Sequence, residues 1–342
     1  MELKLFSHQK QALKWISENK NSKVILALDM GLGKSAISAK TILPTEKVLV
    51  ICPASLKINW YREVQTWADT PKITIINKKS ETLPTGAGTI IINYDILGFN
   101  EKQGKRKMAK PNFDFKDFDR VIVDESHMIK NPKAVRTKIA GRIISKAPKA
   151  ILLSGTLMER AIDLYVPLTA IGANQYEYDA YGFKFCEPKL IDIGRRQVWS
   201  YRGLSNADEL KHMMASQTLV MKKEDVIDLP EKFIKVVALD LPVHKREKSY
   251  DLESIKKDPR PLGFEGLAEL LHEQGLSKVK MATEHIKMRL EETEKIFVTA
   301  KHSLVIDELK ENLAEFNPVV LDGRCSLKQK QDAVDKFQNT KE

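Results

Sequence analysis

The stretch Val24-Ile25-Leu26-Ala27-Leu28-Asp29-Met30-Gly31-Leu32-Gly33-Lys34-Ser35 decides the fold. An apolar, partly β-branched run ends in a glycine-rich loop, and the loop ends in an amine and a hydroxyl. Such a run, bounded by turn residues, reads as a parallel strand buried on both faces. Gly31 and Gly33 allow positive φ and turn backbone N–H groups inward. Lys34 then supplies a charge for β- and γ-phosphates, and the Ser35 hydroxyl suits Mg²⁺. The strict phosphate-loop pattern wants a glycine six positions before the lysine, where Leu28 stands. The assignment rests instead on context, with a strand before the loop and a helical pattern, Ala36–Thr41, after it.

A second strand-like run, Val121-Ile122-Val123, leads into Asp124-Glu125-Ser126-His127. Asp124 is placed to hold Mg²⁺, and Glu125 to orient and deprotonate a water. Further strands read at Val48–Cys52, Ile73–Ile76, Thr89–Asn93 and Ile151–Ser154. Amphipathic segments at Gln9–Glu18, Asn59–Trp67 and Pro132–Ser145 lie between them. This alternation predicts an α/β protein whose parallel sheet is covered by helices on both faces, with ligands bound beyond the carboxyl ends of the strands.

The 342 residues suffice for about two domains. A net charge of +10 suits a phosphate-rich partner. The densest basic stretch, Lys102–Lys110, reads equally as a solvated, mobile loop or as a contact to a DNA backbone. No run reaches membrane-span length, and Met1–Phe6 lacks a signal-peptide plan. Cys52, Cys186 and Cys325 have no metal-ligand spacing and read as reduced thiols. The expectation is therefore a cytoplasmic monomer with no membrane partner, in a prokaryotic or viral host cytosol, or nuclear if the host is eukaryotic. The sequence names no protein partner.

From Gly172 to Lys232 the alternation breaks into a polar stretch, with a short helix expected to be capped by Ser205. Strand character returns at Ile234–Asp240, Lys295–Ala300 and Pro318–Leu321. Helical patterns lie at Glu265–Gln274, Lys278–Glu292 and Ser303–Leu313, and a last helix opens at Ser326 with Gln329 three residues on. The division reads as 1–171, 172–232 (an insertion and connection) and 233–342.

Asp124-Glu125-Ser126-His127, continued by Lys130-Asn131, resembles motif II of the Swi2/Snf2 branch of superfamily 2 helicases. Asp29–Ser35 resembles its motif I, and Leu5-Phe6-Ser7-His8-Gln9 its adenine-reading Gln motif. Val50–Leu56 with Trp60 and Trp67, Ile92–Asp95, Leu153-Ser154-Gly155-Thr156 and Lys295–His302 are similar to motifs Ia, Ib, III and IV. Leu321-Asp322-Gly323 with Ser326 and Phe337-Gln338 resembles the next block. Phe185–Gly203 with Ser205-Asn206 is similar to the annealing-helicase relatives that rewind DNA at stalled forks.

The resemblance implies two RecA-like lobes, the second incomplete, that bind ATP and Mg²⁺ and move on or remodel duplex or forked DNA. It implies catalysis by Lys34, Asp124 and Glu125. Nucleotide contacts fall to His8, Gln9, Asp29, Met30, Gly31, Leu32, Gly33, Lys34 and Ser35, with Ser35 and Asp124 on the metal. Ser55, Asn93, Tyr94, Thr156 and Lys301 would meet nucleic acid. His127, Ser154, Gly155 and Thr156 would couple the two sites. Taken singly, several of these are residues a core also needs, the Trp60–Trp67 pair above all.

Three departures stand out. Leu157 and Arg160 replace the Pro and Asn of motif III. Val220 and Met221 stand where the family has paired arginines. The sequence stops at Glu342, before motifs V and VI, so hydrolysis by this stretch alone is expected to be poor. An RNA helicase of superfamily 2 is disfavoured by His127 and Lys130-Asn131. A non-catalytic DNA-binding module with a vestigial nucleotide site is disfavoured by the intact Lys34, Ser35, Asp124 and Glu125.

Overall fold

The computed structural model describes residues 4–103, 106–155, 160–192, 194, 197–231, 233–237 and 263–339. They form two compact units, Met1–Pro230 and Glu231–Glu342. The first unit opens with α1 (Ser7–Glu18), β1 (Lys23–Leu28), α2 (Lys34–Lys40), β2 (Lys47–Cys52), α3 (Lys57–Trp67), β3 (Ile73–Ile75) and β4 (Gly88–Asn93). A hairpin of β5 (Gly98–Gln103) and β6 (Arg106–Pro111) precedes β7 (Arg120–Val123), α4 (Val135–Lys146) and β8 (Lys149–Ser154). Then come α5 (Tyr165–Ile171), α6 (Tyr178–Phe185), a second hairpin of β9 (Lys189–Asp192) and β10 (Gln197–Ser200), α7 (Ala207–Ala215), β11 (Thr218–Met221) and α8 (Lys223–Val226).

Seven strands build one sheet in the order β11-β1-β8-β7-β2-β4-β3, and every pairing within it is parallel. Strand alternation explains why both faces are covered. Val24, Leu26, Leu28, Val50 and Leu153 share one apolar cluster with Ala12 of α1, Ile37 of α2 and Trp60 of α3. Their neighbours Ile25, Ile51, Val123 and Leu152 share the other with Ile139 of α4, Leu168 of α5 and Phe185 of α6. The six strands read from the sequence ahead of Gly172 all form, with ends shifted by no more than two residues.

Four features differ from the sequence reading. Within the stretch read as insertion and connection, Thr218–Met221 pairs with β1 as an edge strand of the main sheet. Its signal is weak because Leu219-Val220-Met221 is an apolar run of only three residues, too short to tell strand from helix. The basic stretch forms an antiparallel hairpin and not an irregular loop. The Ser205 hydroxyl does not cap α7; it accepts from Glu187 N at 3.2 Å and donates to Lys184 O at 2.9 Å.

The fourth difference lies in the second unit, which is helical where described. It contains α9 (Gly263–Ser277), α10 (Val279–Leu290), α11 (Ser303–Asn312) and α12 (Leu327–Asn339). Val279, Ile286, Val305, Leu309 and Leu313 make its core. The Ser326–Gln329 capping box is reciprocal, with Ser326 N to Gln329 Oε1 at 2.8 Å and Gln329 N to Ser326 Oγ at 3.3 Å. The described part of Ile234–Asp240, Lys295–Ala300 and Pro318–Leu321 carries no strand ladder; Ala238–Asp240 lies outside the described residues. A strand needs a neighbour for its N–H and C=O groups, and the described residues of this unit offer these segments none.

Candidate active site

Strands β1, β8 and β7 lie side by side, and their carboxyl ends carry the site. After β1 the chain turns through Asp29–Gly33, with Gly31 at φ +87° and Gly33 at φ +75°. Both lie where only glycine sits without strain. A Cβ on Gly33 would fall 2.2 Å from Gln9 Nε2, so a side chain there would also have to displace the Gln9 amide.

His8 and Gln9, both buried, lie on this loop. His8 Nε2 is 3.1 Å from Leu32 O. Gln9 Nε2 donates to the same carbonyl at 3.4 Å, and Gln9 Oε1 accepts from Phe6 N at 3.0 Å. The amide expected to read adenine thus first holds the loop in shape, with a second N–H to offer a base. Asp29 N donates to Met221 O at 3.1 Å, and Asp29 Oδ2 accepts from Lys223 N at 2.8 Å. The edge strand that was not apparent in the sequence therefore pins the loop's outer side.

Lys34 and Ser35 open α2. Lys34 Nζ donates to Leu28 O at 2.7 Å and to Asp29 O at 3.1 Å. Burial lowers the pKa of this ammonium, against the pull of Glu125, Asp124 and Asp29. The next strand, β8, ends in buried Ser154 and then Gly155. A Cβ on Gly155 would lie 3.5 Å from Lys34 Nζ and 3.2 Å from Met30 Cγ. Thr156 falls outside the described residues.

Strand β7 delivers Asp124. Its Oδ2 accepts from Trp60 Nε1 at 2.8 Å, and its Oδ1 from Glu125 N at 2.9 Å. Burial pushes the Asp124 carboxyl up, while the indole N–H works in the other direction. The Tyr94 hydroxyl donates to the Asp124 carbonyl. Glu125 sits at φ +50°, ψ +54°, a left-handed conformation uncommon outside glycine, and such strain concentrates at functional turns. His127 Nδ1 lies 3.2 Å from Glu125 Oε2. Motif spacing did not disclose the parts played by Trp60 and Tyr94. An aromatic at core spacing hides the polar end that reaches a partner.

The nucleic-acid candidates are more dispersed. Ser55 is exposed in the turn between β2 and α3. Asn93 is buried, accepting from Lys57 Nζ and donating to Asp95 Oδ2, each at 3.3 Å. Tyr94 is only 2% exposed and is committed to Asp124. It therefore supports the acidic turn from within. Lys301 is exposed in the second unit, just before α11.

Among the described residues no group of three or more His, Cys, Asp or Glu could hold a metal by itself. The Ser35 hydroxyl and the Asp124 carboxylate are nonetheless hard oxygen donors. They suit an Mg²⁺ completed by water and substrate phosphates.

The all-parallel sheet, with the glycine loop after one strand and the acidic pair after another, defines a RecA-like P-loop α/β domain. Residues 8–296 match the family described as SNF2-related domain, and the chain belongs to that family. It is 28% identical, over 94% of its length, to the SWI/SNF-related matrix-associated actin-dependent regulator of chromatin subfamily A-like protein 1 of Xenopus tropicalis. It is 27% identical, over 99% of its length, to the human DNA annealing helicase and endonuclease ZRANB3. The chain spans about a third of these relatives, 34% and 33% of their lengths. The Sulfolobus solfataricus SWI2/SNF2 ATPase core in complex with dsDNA shares its fold, with a TM-score of 0.51 at 22% identity over 100% of this chain and 77% of that one.

Proposed function

We propose that this sequence forms the motor core of a DNA-dependent ATPase that moves on, or remodels, duplex or forked DNA. The observation that carries this reading is that Lys34, Asp124 and Glu125 stand at the carboxyl ends of three adjacent strands, near enough to act on one another's charge, beside a loop shaped by two glycines. Residues 1–171, joined by the edge strand Thr218–Met221, would be the nucleotide lobe, the rest of 172–232 the family-specific connection and 233–342 part of the second lobe.

In this reading the N–H groups of Gly31–Ser35 and the Lys34 ammonium bind the phosphate tail. His8 and Gln9 hold the loop and face the base, and Asp29 and Met30 complete the wall. Ser35 and Asp124 would hold Mg²⁺, which would supply positive charge to the phosphates. Glu125, steadied by His127, orients the attacking water and takes its proton. Ser154 and Gly155 lie between the two loops and would couple them to a strand bound near Ser55, Asn93 and Thr156, with Tyr94 acting through Asp124; Lys301, in the second unit, is a separate candidate for a nucleic-acid contact.

Steady-state phosphate release by the intact gene product tests the proposal. Duplex DNA should stimulate it, and Glu125→Gln should lower it by about 10²–10⁴-fold. Stimulation by RNA but not DNA would favour the RNA-helicase reading. Indifference to Glu125→Gln would favour a vestigial site.

A further inference from the structure

The hairpin of β5 and β6 and the helix α4 beneath it have an unusual charge balance. Gly98–Pro111 contains Lys102, Lys105, Arg106, Lys107 and Lys110 against Glu101 alone, and Val135–Lys146 contains Arg136, Lys138, Arg142 and Lys146 with no acidic residue. The base of the hairpin is fixed. Ala109 is 5% exposed in the main core, and Arg142 Nη1 donates to its carbonyl at 3.2 Å. Gly98 approaches so closely that a Cβ there would lie 2.4 Å from Lys110 O and 2.9 Å from Ile139 Cγ1.

The outer part of the hairpin is built differently. Lys110 pairs with Glu101, which uses up the one carboxylate. Beyond it, Lys102 stands directly opposite Lys107, and Gln103 opposite Arg106. Like charges facing each other across two strands repel. Lys102 and Lys107 are exposed and have no acidic partner among the described residues. Folding has placed cations side by side where the strands themselves gain nothing from it. The hairpin also leaves the carboxyl end of β4 just after Asn93 and Tyr94, the same edge of the sheet from which the turn at Ser55 follows β2.

We infer that this hairpin is a nucleic-acid prong. Lys102 and Lys107, backed by the cationic face of α4, would grip the phosphates of duplex DNA outside the ATPase motifs. The anion relieves the repulsion that the hairpin carries when free. A backbone contact of this kind would add affinity and set orientation without reading sequence. The inference rests on the proposed DNA partnership and adds a site to it.

The test uses the whole chain with Lys102→Ala/Lys107→Ala, and a control, Lys14→Ala/Lys211→Ala, that removes two exposed charges elsewhere. Anisotropy of a labelled 30-base-pair duplex is followed across a salt series. If the prong holds two phosphates, the slope of log affinity against log salt should become shallower by about 1.8, at about 0.9 per phosphate contact. The control should keep the wild-type slope. A fluorescent ATP analogue should bind the hairpin variant as it binds wild type, and the variant's melting temperature should not fall. If wild type binds the duplex and the hairpin variant has the same affinity and slope, the prong is refuted while the DNA reading stands. Binding of polyglutamate by wild type in place of the duplex would refute both, as would no binding of the duplex at any salt.

Discussion

At the amino end of the central strands, Glu46 accepts from Arg120 Nε at 2.8 Å and Nη2 at 3.0 Å, and from Lys149 Nζ at 3.0 Å. At the carboxyl end of the same sheet, Asp124 accepts one N–H on each oxygen, from Trp60 and from Glu125. Both carboxylates are buried, at 5% and 6% exposure. Glu46 is matched by two cations and tied to both. Asp124 has Lys34 close enough to influence its charge, but that ammonium is hydrogen-bonded to the carbonyls of Leu28 and Asp29. One end of the sheet is electrostatically complete. The other keeps a carboxylate and an ammonium apart, each with capacity for a third party, which is what a site for a metal-bound polyphosphate requires.

Breaking each end should therefore have opposite consequences. Glu46→Ala strands Arg120 in the interior and should cost about 3–5 kcal/mol in chemical denaturation, with nucleotide binding by the folded protein unchanged. Asp124→Asn removes a charge that burial already disfavours and keeps the Trp60 bond. It should leave the melting temperature equal or higher while abolishing the Mg²⁺ dependence of nucleotide binding. Equal destabilisation by the two changes would remove the distinction.

A subtler change sharpens it. Trp60→Phe keeps an aromatic ring in the core and deletes one N–H to Asp124. Outer-shell partners of metal ligands are worth about 10–100-fold in affinity, so the Mg²⁺ concentration for half-maximal binding of a fluorescent ATP analogue should rise about tenfold. Binding without Mg²⁺ should not move, and Trp67→Phe should leave both values alone.

The smallest effect is in pH. Burial by itself would raise the Glu46 carboxyl, but Arg120 and Lys149 outweigh it and hold it below the ordinary glutamate value. A carboxyl depressed in the folded state stabilises above its unfolded pKa, and that contribution disappears as pH falls through the folded value. The stability gap between wild type and Glu46→Gln should thus be full at neutral pH and narrow below about pH 4. A gap that widens in acid would contradict this sign.

The same contrast explains what the sequence disclosed. The parallel strands were legible because burial on both faces demands unbroken apolar runs such as Val48–Cys52. The loop and the acidic pair were legible because glycine, lysine and carboxylate have few substitutes in their roles. β11 was not, because its apolar run is only Leu219-Val220-Met221, and the basic hairpin was not, because Lys, Gln and Gly argue against strand locally. Trp60 and Tyr94 read as core or strand contact because a side chain's polar tip finds its partner only in three dimensions. Lys295–Ala300 looked like a strand from its own residues, but a ladder is a property of two segments.

Equilibrium binding of a fluorescent ATP analogue, with Mg²⁺ titrated in, tests the central claim most directly. Wild type should bind saturably and more tightly with Mg²⁺. Lys34→Ala should bind about 10–100-fold more weakly, the loss of one or two charge-assisted hydrogen bonds. Affinity that is unchanged by Lys34→Ala and indifferent to Mg²⁺ would contradict the account.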